Sequence, residues 1–204
     1  MKLYYKPGAC SLATHITLHE IGADFDIEEV DSKRGQTASG ANYGEINPNG
    51  YVPALTLDSG DILLEGPAIL QYLADQSPKS GLAPASGTLQ RARLQQHLNF
   101  VASELHTAFS PLFANNPPEE EARSAVVAEI SEKLSIFERH FADGRPFLLG
   151  DQFSVADAYF FVVASWTAPT NIGLADWSNI AAYVDRVAAR PATKPAMCAE
   201  GLVQ

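Results

Sequence analysis

Cys10 is the residue in this chain whose type and setting most directly suggest chemistry. It lies in Pro7-Gly8-Ala9-Cys10-Ser11, after the short β run Lys2-Leu3-Tyr4-Tyr5 and before apolar residues at helical spacing (Leu12, Ile16, Ile21) that stop at Gly22. A thiol at a helix N-terminus meets unsatisfied backbone N–H groups and the positive end of the helix dipole. That placement predicts a stabilised thiolate, a nucleophile for sulfur chemistry. A second concentration of polar groups falls at Asn99, Ser103, His106 and Ser110, spaced three and four apart beside an apolar stripe of Leu94, Leu98, Val101, Leu105, Phe109 and Leu112. One helix face therefore packs a core while the other offers polar groups to a groove. His15 and His19 are an i,i+4 pair with no third ligand, so they are expected in packing or surface roles rather than at a metal. Ser154-Val155-Ala156-Asp157 has the form of a capping box, a folding signal, with Phe153 in the staple position against Ala158. Cys198 stands near the C-terminus with no partner in the pattern.

The elements that must position these groups divide the chain in two. Residues 1–77 alternate strand and helix signals: the first strand and helix, then the alternating run Phe25-Asp26-Ile27-Glu28-Glu29-Val30, and a polar loop from Asp31 to Asn49. After the turn Asn47-Pro48-Asn49-Gly50 come a strand over 51–57, a hairpin turn at Asp58-Ser59-Gly60, a strand over 61–64 and a helix from Gly66-Pro67 to about Gln76. A βαβ unit followed by ββα gives a mixed four-stranded sheet and a thioredoxin-like α+β fold. Pro53 interrupts an otherwise buried strand, which a cis Val52-Pro53 bond would accommodate while turning the Val52 backbone toward a ligand. Residues 78–87 read as a linker, and 88–204 as an all-helical domain with helices near 88–115, 119–142, 154–168, 177–190 and 192–200.

Composition narrows the function classes. The 204-residue chain is 46% hydrophobic and 19% charged, ordinary for a globular protein. It has no apolar run long enough for a membrane span and no secretory leader pattern. A formal net charge of −10 argues against general nucleic-acid binding. Two cysteines so far apart do not make a disulfide framework, which predicts a reducing, cytoplasmic location.

At this point the residues meet a known family. The stretches Lys2 to Tyr5 running into Pro7 to Leu12, Asn47-Pro48 with Gly50-Tyr51-Val52-Pro53, Glu65-Gly66-Pro67-Ala68-Ile69, Asn99-Phe100 with Ser103 to His106, and Leu149-Gly150-Asp151 through Asp157 occur in family order and spacing. The chain resembles the cytosolic glutathione transferases, most closely the bacterial beta class. The resemblance implies glutathione as co-substrate, no metal, and a homodimer with a shared glutathione site. It implies that Cys10 faces the glutathione sulfur, that the Val52 backbone beside Pro53 pairs with the cysteinyl part, and that Glu65 and the Gly66 N–H hold the γ-glutamyl group. It also implies glutathione contacts for Tyr5 and Ser11, an approach of Asn99, Ser103 and Glu104 from the partner subunit, and a place for His106 near the reacting sulfur. Three positions depart from the pattern: Gly66 lacks the hydroxyl of a common serine, Gly35 stands where a lysine is frequent, and Thr107 replaces a lysine.

The expected activity is conjugation of the glutathione thiolate to hydrophobic electrophiles held over an apolar wall, for which Phe109, Phe113 and Trp166 are the candidates. The same scaffold also suits thiol transfer through a Cys10–glutathione mixed disulfide, or reductive dehalogenation. A non-catalytic ligandin or interaction protein is the third alternative.

Overall fold

The structure, a computed structural model, describes residues 1–203. The chain packs into two compact units: Met1–Ala83 together with the segment from Ala188 on, and Pro84–Val187.

The first unit is built on a mixed sheet. Strand β1 (Lys2–Tyr5) leads into α1 (Ser11–Glu20), then β2 (Asp26–Asp31), β3 (Gln36–Thr37) and the one-turn helix α2 (Tyr43–Ile46). After these come β4 (Ala54–Thr56), β5 (Ile62–Leu64) and α3 (Gly66–Gln76). The strand order is β3-β2-β1-β4-β5, with β1 and β2 parallel and every other pair antiparallel. The sheet thus has five strands where four are expected from the pattern. The extra strand is only two residues long and lies in the polar segment after Asp31, too short and too polar to show an alternation. Alternation within β1 sorts the two faces. Leu3 and Tyr5 pack with Leu18, Leu55, Ile69 and Leu73 under α1 and α3, whereas Tyr4 packs with Val30, Tyr43 and Ala54 on the side of α2.

The 88–204 stretch expected as one helical domain is divided by packing. Helix α9 (Thr193–Ala199) lies against α1 in the first unit, held at its end by Glu200. The fully buried Glu200 carboxylate accepts from Gly8 N at 2.9 Å and meets His15 Nδ1 at 2.9 Å. His15 also stacks on His19 at 5.2 Å between centroids, and both rings meet Phe25 edge-on. The histidine pair takes the packing role its isolation implies.

In the second unit the stretch expected as a single helix over 88–115 is four pieces: α4 (Leu89–Phe100), a π-helical turn (Val101–Leu105), α5 (His106–Phe109) and a 3₁₀ turn (Ser110–Phe113). Pro111 at the start of the last piece removes a backbone donor and prevents a regular continuation. The apolar stripe is buried from Leu94 through Phe109, with Leu112 half-buried. It faces α6 (Glu120–His140) and α7 (Val155–Ser165), and α8 (Ser178–Ala188) completes the unit. Aromatic stacking knits this core: Phe137 on Phe160 at 4.0 Å and Phe141 on Tyr183 at 4.8 Å. At the start of α7 the fully buried Asp157 accepts from Ser154 N, Ser154 Oγ, Leu148 N and Tyr183 Oη. Phe153 finds its ring partner in Phe147 rather than in the small Ala158. Among the described residues no helix is long and apolar enough to cross a membrane.

Candidate active site

In the first unit the sequence places a thiol, a backbone edge and a helix start next to one another. Cys10 is the N-cap of α1, and its thiol donates to the Val52 carbonyl at 3.2 Å. The Val52-Pro53 bond is cis and Pro53 is buried. Glu65 is exposed at the N-cap of α3 with φ of 68° and ψ of 110°, and its side chain makes no bond to its own helix. A Cβ added at Gly66 would stand 3.9 Å from the Pro53 ring, so this helix start adjoins the cis-proline. The orphan N–H groups of α3 and a carboxylate on a positive-φ residue can together take a zwitterionic amino-acid group.

The electrostatics of Cys10 differ from expectation. Burial pushes its thiol up to about 11; the N–H groups of Cys10 and Ser11 oppose this and the Glu65 charge adds to it. Helix-end donors are present as foreseen, but desolvation outweighs them, and Cys10 is a neutral thiol that donates a hydrogen bond.

Two expected ligand contacts are placed otherwise. The Ser11 hydroxyl is buried, accepts from Lys6 N at 3.2 Å and donates to Lys6 O at 3.3 Å, so it holds the β1–α1 loop. Tyr5 shares the core face of Leu3 by strand alternation, and its ring lies in the apolar cluster.

The second unit gathers the remaining candidates. His106 Nδ1 lies 2.7 Å from Tyr159 Oη, and the imidazole meets the Trp166 ring edge-on at 4.7 Å. Burial lowers the pKa of His106. Trp166, Phe109 and Phe113 are in mutual ring contact. Phe113 is 52% exposed and Phe109 fully enclosed, so Phe109 backs the surface that Phe113 presents. Asn99 and Ser103 lie exposed on the polar stripe; the Ser103 hydroxyl donates to Asn99 O, and Glu104 pairs with Lys133. Sequence reasoning missed Tyr159, Lys133 and Glu200, because no local pattern separates a buried tyrosine or a terminal glutamate from its neighbours. Among the described residues no cluster of three or more His, Cys, Asp or Glu is placed to hold a metal ion.

A mixed thioredoxin-like sheet with a cysteine capping its first helix, a cis-proline edge beside it and a following helical unit define a glutathione transferase architecture. Family models agree: Glutathione S-transferase, N-terminal domain, matches residues 8–76, and Glutathione S-transferase, C-terminal domain, matches residues 100–191. Glutathione S-transferase GstA of Escherichia coli O157:H7 is 43% identical over 99% of this chain and 100% of its own. A sphingomonad glutathione S-transferase complexed with glutathione is 48% identical at a TM-score of 0.94, covering 100% of both chains. A bacterial beta class glutathione S-transferase of Sphingomonas chungbukensis is 46% identical at a TM-score of 0.95, again covering 100% of both chains. The chain belongs to the glutathione S-transferase family, in its bacterial beta class. Glutathione is accordingly its co-substrate.

Proposed function

We propose that this enzyme conjugates the glutathione thiolate to hydrophobic electrophiles as a cytoplasmic homodimer with Cys10 as a thiol donor at the glutathione sulfur. The observation that carries this reading is the 3.2 Å contact between the Cys10 thiol and the Val52 carbonyl. An extended peptide paired with the Val52 backbone beside Pro53 sets its own cysteine next to Cys10. A neutral S–H there donates to the incoming thiolate and stabilises it, whereas a second thiolate would repel it. Glu65 takes the γ-glutamyl ammonium, and the Gly66 N–H at the start of α3 takes its carboxylate. Asn99, Ser103 and Glu104 reach the tripeptide from the partner subunit. His106 lies near the sulfur, and Phe113, backed by Phe109 and Trp166, supplies the wall for the electrophile. The raised thiol pKa favours conjugation over thiol transfer, because a mixed disulfide forms by attack of a thiolate.

The test is intact-protein mass spectrometry after incubation with oxidised glutathione, beside steady-state conjugation of an aryl halide. Fast conjugation with an adduct that accumulates only as pH rises supports the reading. Rapid adduct formation at neutral pH, lost in Cys10→Ser, would make thiol transfer the main activity. No adduct and no glutathione binding by calorimetry would leave a non-catalytic role.

A further inference from the structure

Tyr159 has no place in the functional reading so far, yet it is the group that holds His106. It sits on α7, ten of whose eleven residues are buried, and is itself 4% exposed. Its hydroxyl meets His106 Nδ1 at 2.7 Å, and its ring stands nearly perpendicular to the imidazole, at 78° and 6.0 Å between centroids. Trp166 closes on the imidazole edge-on at 75°. The ring is therefore fixed by two side chains of its own packing unit.

The chemistry of the contact selects a tautomer. Burial is the cause that lowers the pKa of His106, and a neutral imidazole carries one N–H and one lone pair. A separation of 2.7 Å falls at the most common distance for an O–H donor and at the short end of the range for an N–H donor, which favours the phenol as donor. With the phenol donating to Nδ1, the ring proton resides on Nε2.

We propose that Tyr159 is a positioning residue whose hydroxyl fixes His106 as the neutral Nε2–H tautomer, so that His106 acts as a hydrogen-bond donor to the charged sulfur or to the negative charge developing on the electrophile. This rests on the placement of His106 near the sulfur given above. It assigns His106 the work of charge stabilisation: a nitrogen that already carries a proton does not accept one from the thiol. The thiol proton then leaves to solvent before the conjugation step.

The experiment is ¹⁵N spectroscopy of the imidazoles in the full-length enzyme at several pH values, with His106→Gln to assign the signals. It is run beside steady-state rates for wild type, Tyr159→Phe, His106→Gln and the double variant. In the wild type, Nδ1 is expected at an unprotonated shift and Nε2 at a protonated one, a result that needs no variant to fold. Tyr159→Phe removes one oxygen, and its melting temperature shows whether the fold survives. In that variant the ring proton is expected to redistribute between Nδ1 and Nε2, because nothing then holds the Nδ1 lone pair, and kcat falls about tenfold with little change in the glutathione KM. The double variant should be no slower than His106→Gln alone. A protonated Nδ1 in the wild type, or an equal loss from Tyr159→Phe on both backgrounds, overturns the proposal. If His106→Gln leaves the rate intact while the tautomer is as stated, the placement of His106 in the reaction fails, and the catalytic role of the pair with it; Tyr159's hold on the ring is then still visible in the spectrum.

Discussion

At the scale of single residues, desolvation and donor geometry decide what each group does, and they do so against the first reading of Cys10. A thiol held near pH 11 by burial is almost wholly protonated at neutral pH, and its thiolate fraction grows about tenfold per pH unit until that value is approached. Alkylation of Cys10 by iodoacetamide should therefore still be accelerating at pH 9.5, while the exposed Cys198 is modified first; peptide mapping of a time course distinguishes the two. Glu65→Ala should raise the glutathione KM by about tenfold or more, the usual cost of removing a charged hydrogen-bond partner, with kcat less affected. An unchanged KM would remove Glu65 from the site. Gly66 offers the opposite experiment. A Cβ there meets only ordinary contact with the Pro53 ring, and the backbone is not in the left-handed region, so Gly66→Ser should fold normally. The added hydroxyl at the start of α3 should lower the glutathione KM by a few-fold, measured in the same assay. The setting of Cys10, the cis Val52-Pro53 bond and the start of α3 were legible in the sequence because turns, prolines and helix starts announce themselves locally, whereas Glu65 was singled out only by the family resemblance. The Cys10 pKa was not, because it depends on how much water the folded chain removes.

At the scale of elements, the start of α7 concentrates more hydrogen bonds on one buried side chain than any other helix start described. Asp157→Ala would strip the acceptor from Ser154 N and Leu148 N, two buried donors joined across a loop. Leaving them unsatisfied should cost about 2 to 5 kcal/mol, read as a lower denaturation midpoint or as loss of soluble protein. The buried apolar stripe follows from periodicity, the capping box from its residue types, and the β/α order of residues 1–77 from periodicity together with turn signals. What periodicity concealed is the interruption of the helix after Phe100. A π-helical turn widens the coil by one residue without changing the character of the side chains, so the sequence still reads as one helix. The two-residue β3 was hidden for a related reason: its pairing comes from β2, not from a pattern of its own.

At the scale of the whole molecule, the packing units do not follow the order of the chain. The long-range pair of Glu200 with Gly8 and His15 joins residues nearly two hundred positions apart and brings the last helix onto the first. Glu200→Ala would leave the Gly8 N–H and the buried His15 Nδ1 without their partner and should destabilise the first unit by about 1 to 3 kcal/mol. Differential scanning calorimetry tests this, and Glu200→Gln, which retains an acceptor, should be milder. No sequence rule points across that distance, which is why residues 188–203 read as part of the helical domain. The arrangement also bears on how the protein is born. On the ribosome, Pro84–Val187 emerges as a continuous segment ahead of Glu200, so the β1–α1 loop has to wait for a residue made after the whole second unit. The cysteine loop is thus secured only after the second unit has been made, and a chain cut short before Glu200 would lack the contact that holds Gly8.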